Sequence, residues 1–485
     1  MNGLSDCYEE NVVLLDGMLR VRRNFDLIKK VLRIGAHGDE LTLYYIDGFV
    51  EGGSMQKLLG QLLSRKGICG GTDGTLCMES KEANARAFAI SAIPHVESDV
   101  TDDLDSMIRM VLSGATLMVG SAFGRFAVII DARTYPVRAV DEPQDDRVMK
   151  GARDGFVETV IFNTALIRRR IRDPRLTMEH RSIGTVSRTD VVLCFLEGKA
   201  DPEYVDQLRK KLDSIRVEAL SMGHESLIEC LIRRRWYNPF PKVRTTGRPD
   251  AACAQLLEGS VLLIVDNSPE VLILPTTIFD FLQETNDFYF PPLTGGYLRI
   301  VRQTVFLLTL LLTPVWYLLT RYPDFVPEWL LFALPEETGK LPILVQLLLV
   351  EFLIDGLRLA SMNTPDMLSN SLSVVGGLIL GDFAVEIGWL IPEVILYMAF
   401  VAIANFSQRS YQLGYAFKFL RVLLLILIAL LGIWGFLIGG AVIAMLLLTN
   451  ETVNGRRHYL YPLIPFRGRA LRTILFRTLK RESVK

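Results

Sequence analysis

A largely apolar stretch, residues 341–406, carries Glu351, Asp355, Arg358, Asp382 and Glu386. Glu351 and Asp355 are four apart and Arg358 follows three later, a spacing that puts all three on one face of a helix. Asp382 and Glu386 repeat the four-residue step in the next apolar segment. An ionisable group at membrane depth costs roughly 2.5–3.5 kcal/mol on insertion scales, so it normally faces a bundle interior, a partner or water. Carboxylates placed this way attract cations, and a symmetric assembly would turn each into a ring. Two readings stand. The groups form a polar seam inside a membrane domain, or they sit at headgroup level and merely snorkel or pair there.

The elements that must position these groups are apolar runs confined to the last third of the chain. The first run, residues 304–320, can span if Arg302 and Arg321 reach the two interfaces. Residues 322–340 hold Asp324, Glu328, Glu336 and Glu337, an acidic connector expected outside the cytosolic face. Residues 341–359 could span, re-enter or lie in the interface. Residues 368–390 span next, and Gly376, Gly377 and Gly381 suit that helix to close packing around an axis. Residues 392–406 follow almost at once. Residues 422–448 carry no charge over about 40 Å of helix, so a tilt or bend is expected near Gly432, Gly435, Gly439 and Gly440. Nine Lys or Arg against Glu482 alone follow Gly455, which assigns the C-terminus to the cytosol. Both ends inside require an even number of spans. Four are expected, and six would require the last run to split.

The chain has 485 residues, 50% of them hydrophobic, and a formal net charge of -1. Residues 1 to about 298 read as soluble sequence. The opening residues lack the basic-then-apolar pattern of a signal peptide, which assigns this region to the cytosol. Its strands and turns occur twice in the same order about 150 residues apart. LTLYYI closed by Asp47-Gly48 is answered by VVLCFL closed by Glu197-Gly198, and Leu112-Ser113-Gly114 by Leu257-Glu258-Gly259. The expected fold class is an α/β cytosolic region of two related subdomains followed by an α-helical transmembrane domain. The expected divisions are an N-terminal subdomain (1–140), a connecting helical segment (141–190), a second subdomain (191–298), a transmembrane domain (299–450) and a basic cytosolic tail (451–485). The connecting helix ends in Arg168, Arg169 and Arg170, with Arg172 beyond. These cations either complement the helix dipole or contact anionic lipid headgroups or a neighbouring subunit.

The six cysteines form no CxxC pair and the five histidines are scattered, so neither a disulfide framework nor a zinc site is expected. No P-loop, dinucleotide fingerprint or nucleophile elbow is present, so no cofactor is expected and an enzyme is the least favoured class. The soluble part has no basic excess and no reader motif, which argues against nucleic acid.

Four stretches then carry a resemblance: GARDGFVETVIFNTALIRRRI (151–171), GRPDAACAQLLEGSVLLIVDNSPEVLILP (247–275), VVGGLILGDFAVEIG (374–388) and YLYPLIPF (459–466). Through them the chain resembles the spore germination GerA family, the A subunits of germinant receptors, over nearly its whole length. GDFAVE, the ANF ending at Phe406 and YLYPLIPF look nearest to the stage V sporulation protein AF branch. The resemblance implies an inner-membrane protein of the bacterial endospore. It implies a homo-oligomer, with a pentamer as the expected count, forming a channel through which ions leave the spore, beside other germination membrane subunits. Residues 362–364 before Pro365 read Met-Asn-Thr, where many receptor subunits carry an arginine. The competing reading is a non-conducting scaffold that assembles germination complexes.

Overall fold

The computed structural model describes residues 3–35, 38–50, 52–65, 67–68, 80–93, 97–133, 148, 151–232, 236–284, 286–335, 339–363, 384–408, 410–453, 459–468 and 471–472. They form two compact units, one from residues 1–233 and 243–275, the other from 234–242 and 276–485.

The first unit contains the duplication. Its first copy runs α1 (Tyr8–Leu19), β1 (Leu27–Ile34), β2 (Asp39–Ile46), α2 (Gly52–Leu63), α3 (Lys81–Ala92), β3 (Ser98–Thr101), α4 (Leu104–Leu112), β4 (Thr116–Gly120) and β5 (Ala127–Ile130). The second runs α5 (Val160–Arg170), β6 (Leu176–Ile183), β7 (Thr189–Leu196), α6 (Pro202–Ser214), α7 (His224–Leu231), β8 (Arg244–Thr246), α8 (Pro249–Glu258), β9 (Val261–Val265) and β10 (Val271–Leu274). The sheets have matching strand orders, β1-β2-β4-β5-β3 and β6-β7-β9-β10-β8, with every pairing antiparallel.

Both faces of the first sheet are covered, which explains its continuous apolar strands. Tyr44, Ile46, Leu117 and Val119 pack with residues of α1 and α4. Leu41, Leu43, Met118 and Val128 pack with α2 and α3. The glycine turns match as well. Gly48 and Gly198 both have φ 81°, and Gly114 and Gly259 have φ 101° and 102°, values that suit glycine. A Cβ on Gly114 would strike the Phe49 ring at 2.8 Å, and one on Gly259 would strike the Lys199 carbonyl at 2.7 Å. Phe49 and Lys199 each follow the other turn glycine of their copy, so one tight junction is built twice.

The structure departs from the expected connecting segment. Its helix, α5, holds in the second copy the place of α1 in the first, and β6 opens the second sheet within it. β6 is an edge strand whose Glu179 and Arg181 lie outside the core, so its apolar signal is interrupted.

The second unit is helical: α9 (Asn286–Tyr289), α10 (Pro292–Arg321), α11 (Ile343–Asn363), α12 (Pro392–Phe406), α13 (Tyr411–Leu431) and α14 (Ile433–Leu448). By length and composition, α10 and α13 are long and apolar enough to cross a membrane. The last apolar run is two helices and not one tilted helix. Gly432, at φ 61° and ψ -132°, separates them. Gly435 then lies beside Leu427 and Gly439 beside Leu424, so α14 doubles back along α13. Glycine supplies both the turn and the close approach. Arg321 caps the end of α13, donating from Nη1 to the carbonyls of Ile428 and Ala429 at 2.6 Å each.

Candidate functional site

Among α10, α11 and α13 lies a cluster of four charges, three of them buried and the fourth, Asp355, 34% exposed at its side chain. Glu351 is 7% exposed, Lys418 8% and Arg421 0%. Arg421 donates from Nη2 to Glu351 Oε1 at 2.5 Å and from Nη1 to the Thr309 carbonyl of α10. Lys418 pairs with Asp355 Oδ2 and lies 3.6 Å from Glu351 Oε1. It also donates to the Glu351 carbonyl at 3.4 Å. Glu351 and Asp355 therefore do share a face of α11, and α13 answers them with Lys418 and Arg421 at a three-residue step.

Arg358 takes a different environment. Its guanidinium lies over the rings of Phe406, Tyr411 and Tyr415, at 5.5, 4.7 and 5.1 Å from their centroids. Ring faces attract a cation through their quadrupole. A small cavity of about 20 Å³ is lined by Glu351, Asp355, Arg358, Asn405, Tyr415 and Lys418. That is room for about one water-sized species. Among the described residues nothing hydrogen-bonds the buried Asn405 Oδ1.

Asp382, Gly376, Gly377 and Gly381 lie outside the described residues. Glu386 is exposed, in a single helical turn (Ala384–Glu386) that Gly388 ends with φ 77°. Lys340, just before α11, donates its backbone N–H to Gly388 and its ammonium to Ile387. Glu386 thus sits by the start of α11, while Glu351 lies eight residues inside it. Arg302, expected at an interface, is held by Asp287 at 2.8 Å and Glu284 at 2.5 Å.

The arginines at the end of α5 divide into buried and surface groups. Arg168 is fully buried and grips Asp26 of the first copy from Nε at 2.9 Å and Nη2 at 3.1 Å. Its Nη1 donates to the Leu176 carbonyl at 3.0 Å. This corrects the expectation of a lipid or subunit contact for Arg168, which joins the two copies instead. Arg170 pairs with Asp154, whereas Arg169 and Arg172 are exposed. A second junction between the copies surrounds Glu197, which takes Arg20 and, at 2.8 Å, Arg23. Burial opposes the charge on Glu197, but those two guanidinium groups outweigh it and hold the carboxyl below its ordinary value.

Lys418 and Arg421 were missed because they immediately precede the charge-free run and read as its flank. Their signal was their place within the apolar stretch of residues 411–431, three apart like facing partners of Glu351 and Asp355.

Residues 18–484 match the family model described as Bacillus/Clostridium GerA spore germination protein. The chain is 37% identical over 442 residues to "Stage V sporulation protein AF" of Bacillus subtilis (strain 168), covering 91% of this chain and 87% of that protein. It is 29% identical over 376 residues to "Spore germination protein KA" of the same organism, covering 77% and 68%. The crystal structure of the N-terminal domain of the A subunit of the Bacillus megaterium spore germinant receptor GerK3 aligns at 24% identity and TM-score 0.42, covering 56% of this chain and 96% of that one.

Proposed function

Because the chain belongs to the GerA spore germination family, we propose that it is a multi-pass subunit of the inner spore membrane that oligomerises into a cation channel. The observation that supports this most is the charged cluster of Glu351, Asp355, Lys418 and Arg421 among apolar helices. Ionisable groups in such surroundings are costly and mark functional positions. Four passes with both termini on the cytosolic, spore-core side are the working topology, and the split of the last run at Gly432 would allow six. A homo-oligomer, with a pentamer as the working count, places one copy of each helix around an axis. Asp382 and Glu386 then supply the carboxylate rings, because Glu351 and Asp355 are already matched by cations of their own chain. Other germination membrane subunits are the expected partners, and anionic headgroups are expected to meet the exposed end of α5 at Arg169 and Arg172. The duplicated first unit serves as a collar that receives signals from partners.

That internal matching also favours a second reading, a non-conducting scaffold, since a charge pair closed within one subunit fixes helices without exposing charge. Ion flux from proteoliposomes separates the two. A monovalent cation leak that falls in the Asp382→Asn, Glu386→Gln double variant supports the channel. Oligomeric, folded protein with no leak, alone and with its partner subunits, supports the scaffold.

A further inference from the structure

We propose that residues 236–237 and 463–467 dip into the cytosolic leaflet, so that a phospholipid surface covers them. Trp236 is 95% exposed, more than any other large apolar side chain among the described residues, and Tyr237 beside it is also exposed. Their rings stand edge to face with centroids 6.0 Å apart. In the second segment Phe466 is 72% exposed, and Leu463 and Ile464 are exposed with it. Arg467 adds a cation, 5.8 Å from the centroid of the Tyr461 ring. Single apolar side chains on a surface are ordinary, whereas a bare tryptophan joined to a second apolar segment calls for a cover.

Both segments are tied to one end of the helical unit, to which residues 234–242 belong. Asn238 donates from Nδ2 to the Leu446 carbonyl in the last turn of α14 at 3.4 Å. Phe240 packs against Phe417 of α13 and against Tyr459, with ring centroids 6.1 and 6.2 Å apart. This is the end of the α13–α14 hairpin opposite the Gly432 turn. The inference rests on the multi-pass reading for where that end lies. α13 has 21 residues, which is about 30 Å of helix and the thickness of a hydrocarbon core. With Gly432 at one face of the core, the start of α13 and the end of α14 lie at the other. Tryptophan and tyrosine collect at that level because their rings are apolar while their N–H and O–H groups stay wet. The sequence after Gly455 carries nine Lys or Arg, Arg467 among them. Phosphate headgroups suit those cations, and the acyl boundary beneath suits the rings.

The test places a photo-crosslinking side chain in the full chain, reconstituted in vesicles of phosphatidylethanolamine and phosphatidylglycerol. The substitutions are Trp236→benzoylphenylalanine and Phe466→benzoylphenylalanine, both at exposed positions where a new ring displaces no packing. Illumination should give phospholipid adducts at both, read by mass spectrometry. It should give none at Ile90, an 85% exposed position on α3 of the first unit. Crosslinks to a second copy of the chain in place of lipid overturn the proposal and assign the surface to the oligomer. A lipid adduct missing at either position, or formed equally at Ile90, also overturns it. The same substitution at Trp434, exposed at the Gly432 end of α14, tests the setting separately. Lipid adducts at Trp434 but not at Trp236 and Phe466 keep the multi-pass reading and remove the anchor. Adducts at Trp236 and Phe466 but not at Trp434 keep the anchor and remove α14 as a pass.

Discussion

Arg421 and Glu351 meet at 2.5 Å although 70 residues separate them in the chain. Neither side chain is more than 9% exposed. Among the described residues, Arg421→Met leaves the Glu351 carboxylate with only the more distant Lys418. Breaking a buried pair from one side costs about 3–5 kcal/mol, whereas replacing both partners by apolar groups is often neutral. The single variant should melt well below wild type in detergent, and Glu351→Leu with Arg421→Met should recover most of the loss. A double variant no better than the single would refute the pairing.

Asp26 and Arg168 form the corresponding lock in the first unit, with side chains 2% and 1% exposed. Asp26→Ala should cost about 3–5 kcal/mol by the same reasoning. Limited trypsin digestion of the full chain across a urea series would show it, as cleavage within the first unit at lower urea. An unchanged digestion profile would mean that the copies are held together without this pair.

Glu197 gives the second junction a pH dependence. Its carboxyl is held below its ordinary value of 4.5, so the stability it contributes is fully present above that pH. That contribution is lost as pH falls through the lower, folded value. Glu197→Gln should therefore melt below wild type at neutral pH, and the gap should close on acidification below 4.5. A gap that stays constant into the acid range would exclude the charge as its cause.

Two glycines of α14 make opposite predictions. A Cβ on Gly435 would meet the Leu427 carbonyl oxygen at 1.9 Å, whereas one on Gly440 meets nothing within 4 Å. Gly435→Val should prevent α14 from returning along α13 and sharply lower the yield of folded protein. Gly440→Val should leave the melting temperature of the detergent-purified chain near that of wild type. Equal tolerance at both positions would argue against the hairpin.

The parts of the fold legible in the sequence were those with strong periodicity or glycine punctuation. The central strands β2 and β7 read as unbroken apolar runs, and the turns at Gly48, Gly114, Gly198 and Gly259 disclosed the duplication. Edge strands were not legible. β3 and β8 are four and three residues long, and β6 alternates with charge, so none leaves a clear pattern. Glu351 and Asp355 were found because charge stands out in an apolar helix. Lys418 and Arg421 were not, because a cation beside an apolar run has the same sequence appearance whether it caps the run or lies inside the bundle. The partners of Arg168 and Arg358 depend on residues distant in sequence, and local spacing carries no information about those.

The split of opposite charges between α11 and α13 constrains the order in which the helices can settle during synthesis. Glu351 and Asp355 emerge with α11, but the cations that neutralise them emerge about 70 residues later. At roughly 5–20 residues per second the wait is about 4–14 s. On the multi-pass reading, α11 meanwhile carries two carboxylates against Arg358 alone, a net negative charge that opposes its release into lipid. If α11 spans the membrane as proposed above, its stable insertion belongs to the moment α13 arrives, and a chain truncated before Lys418 would leave α11 stranded at the insertion machinery.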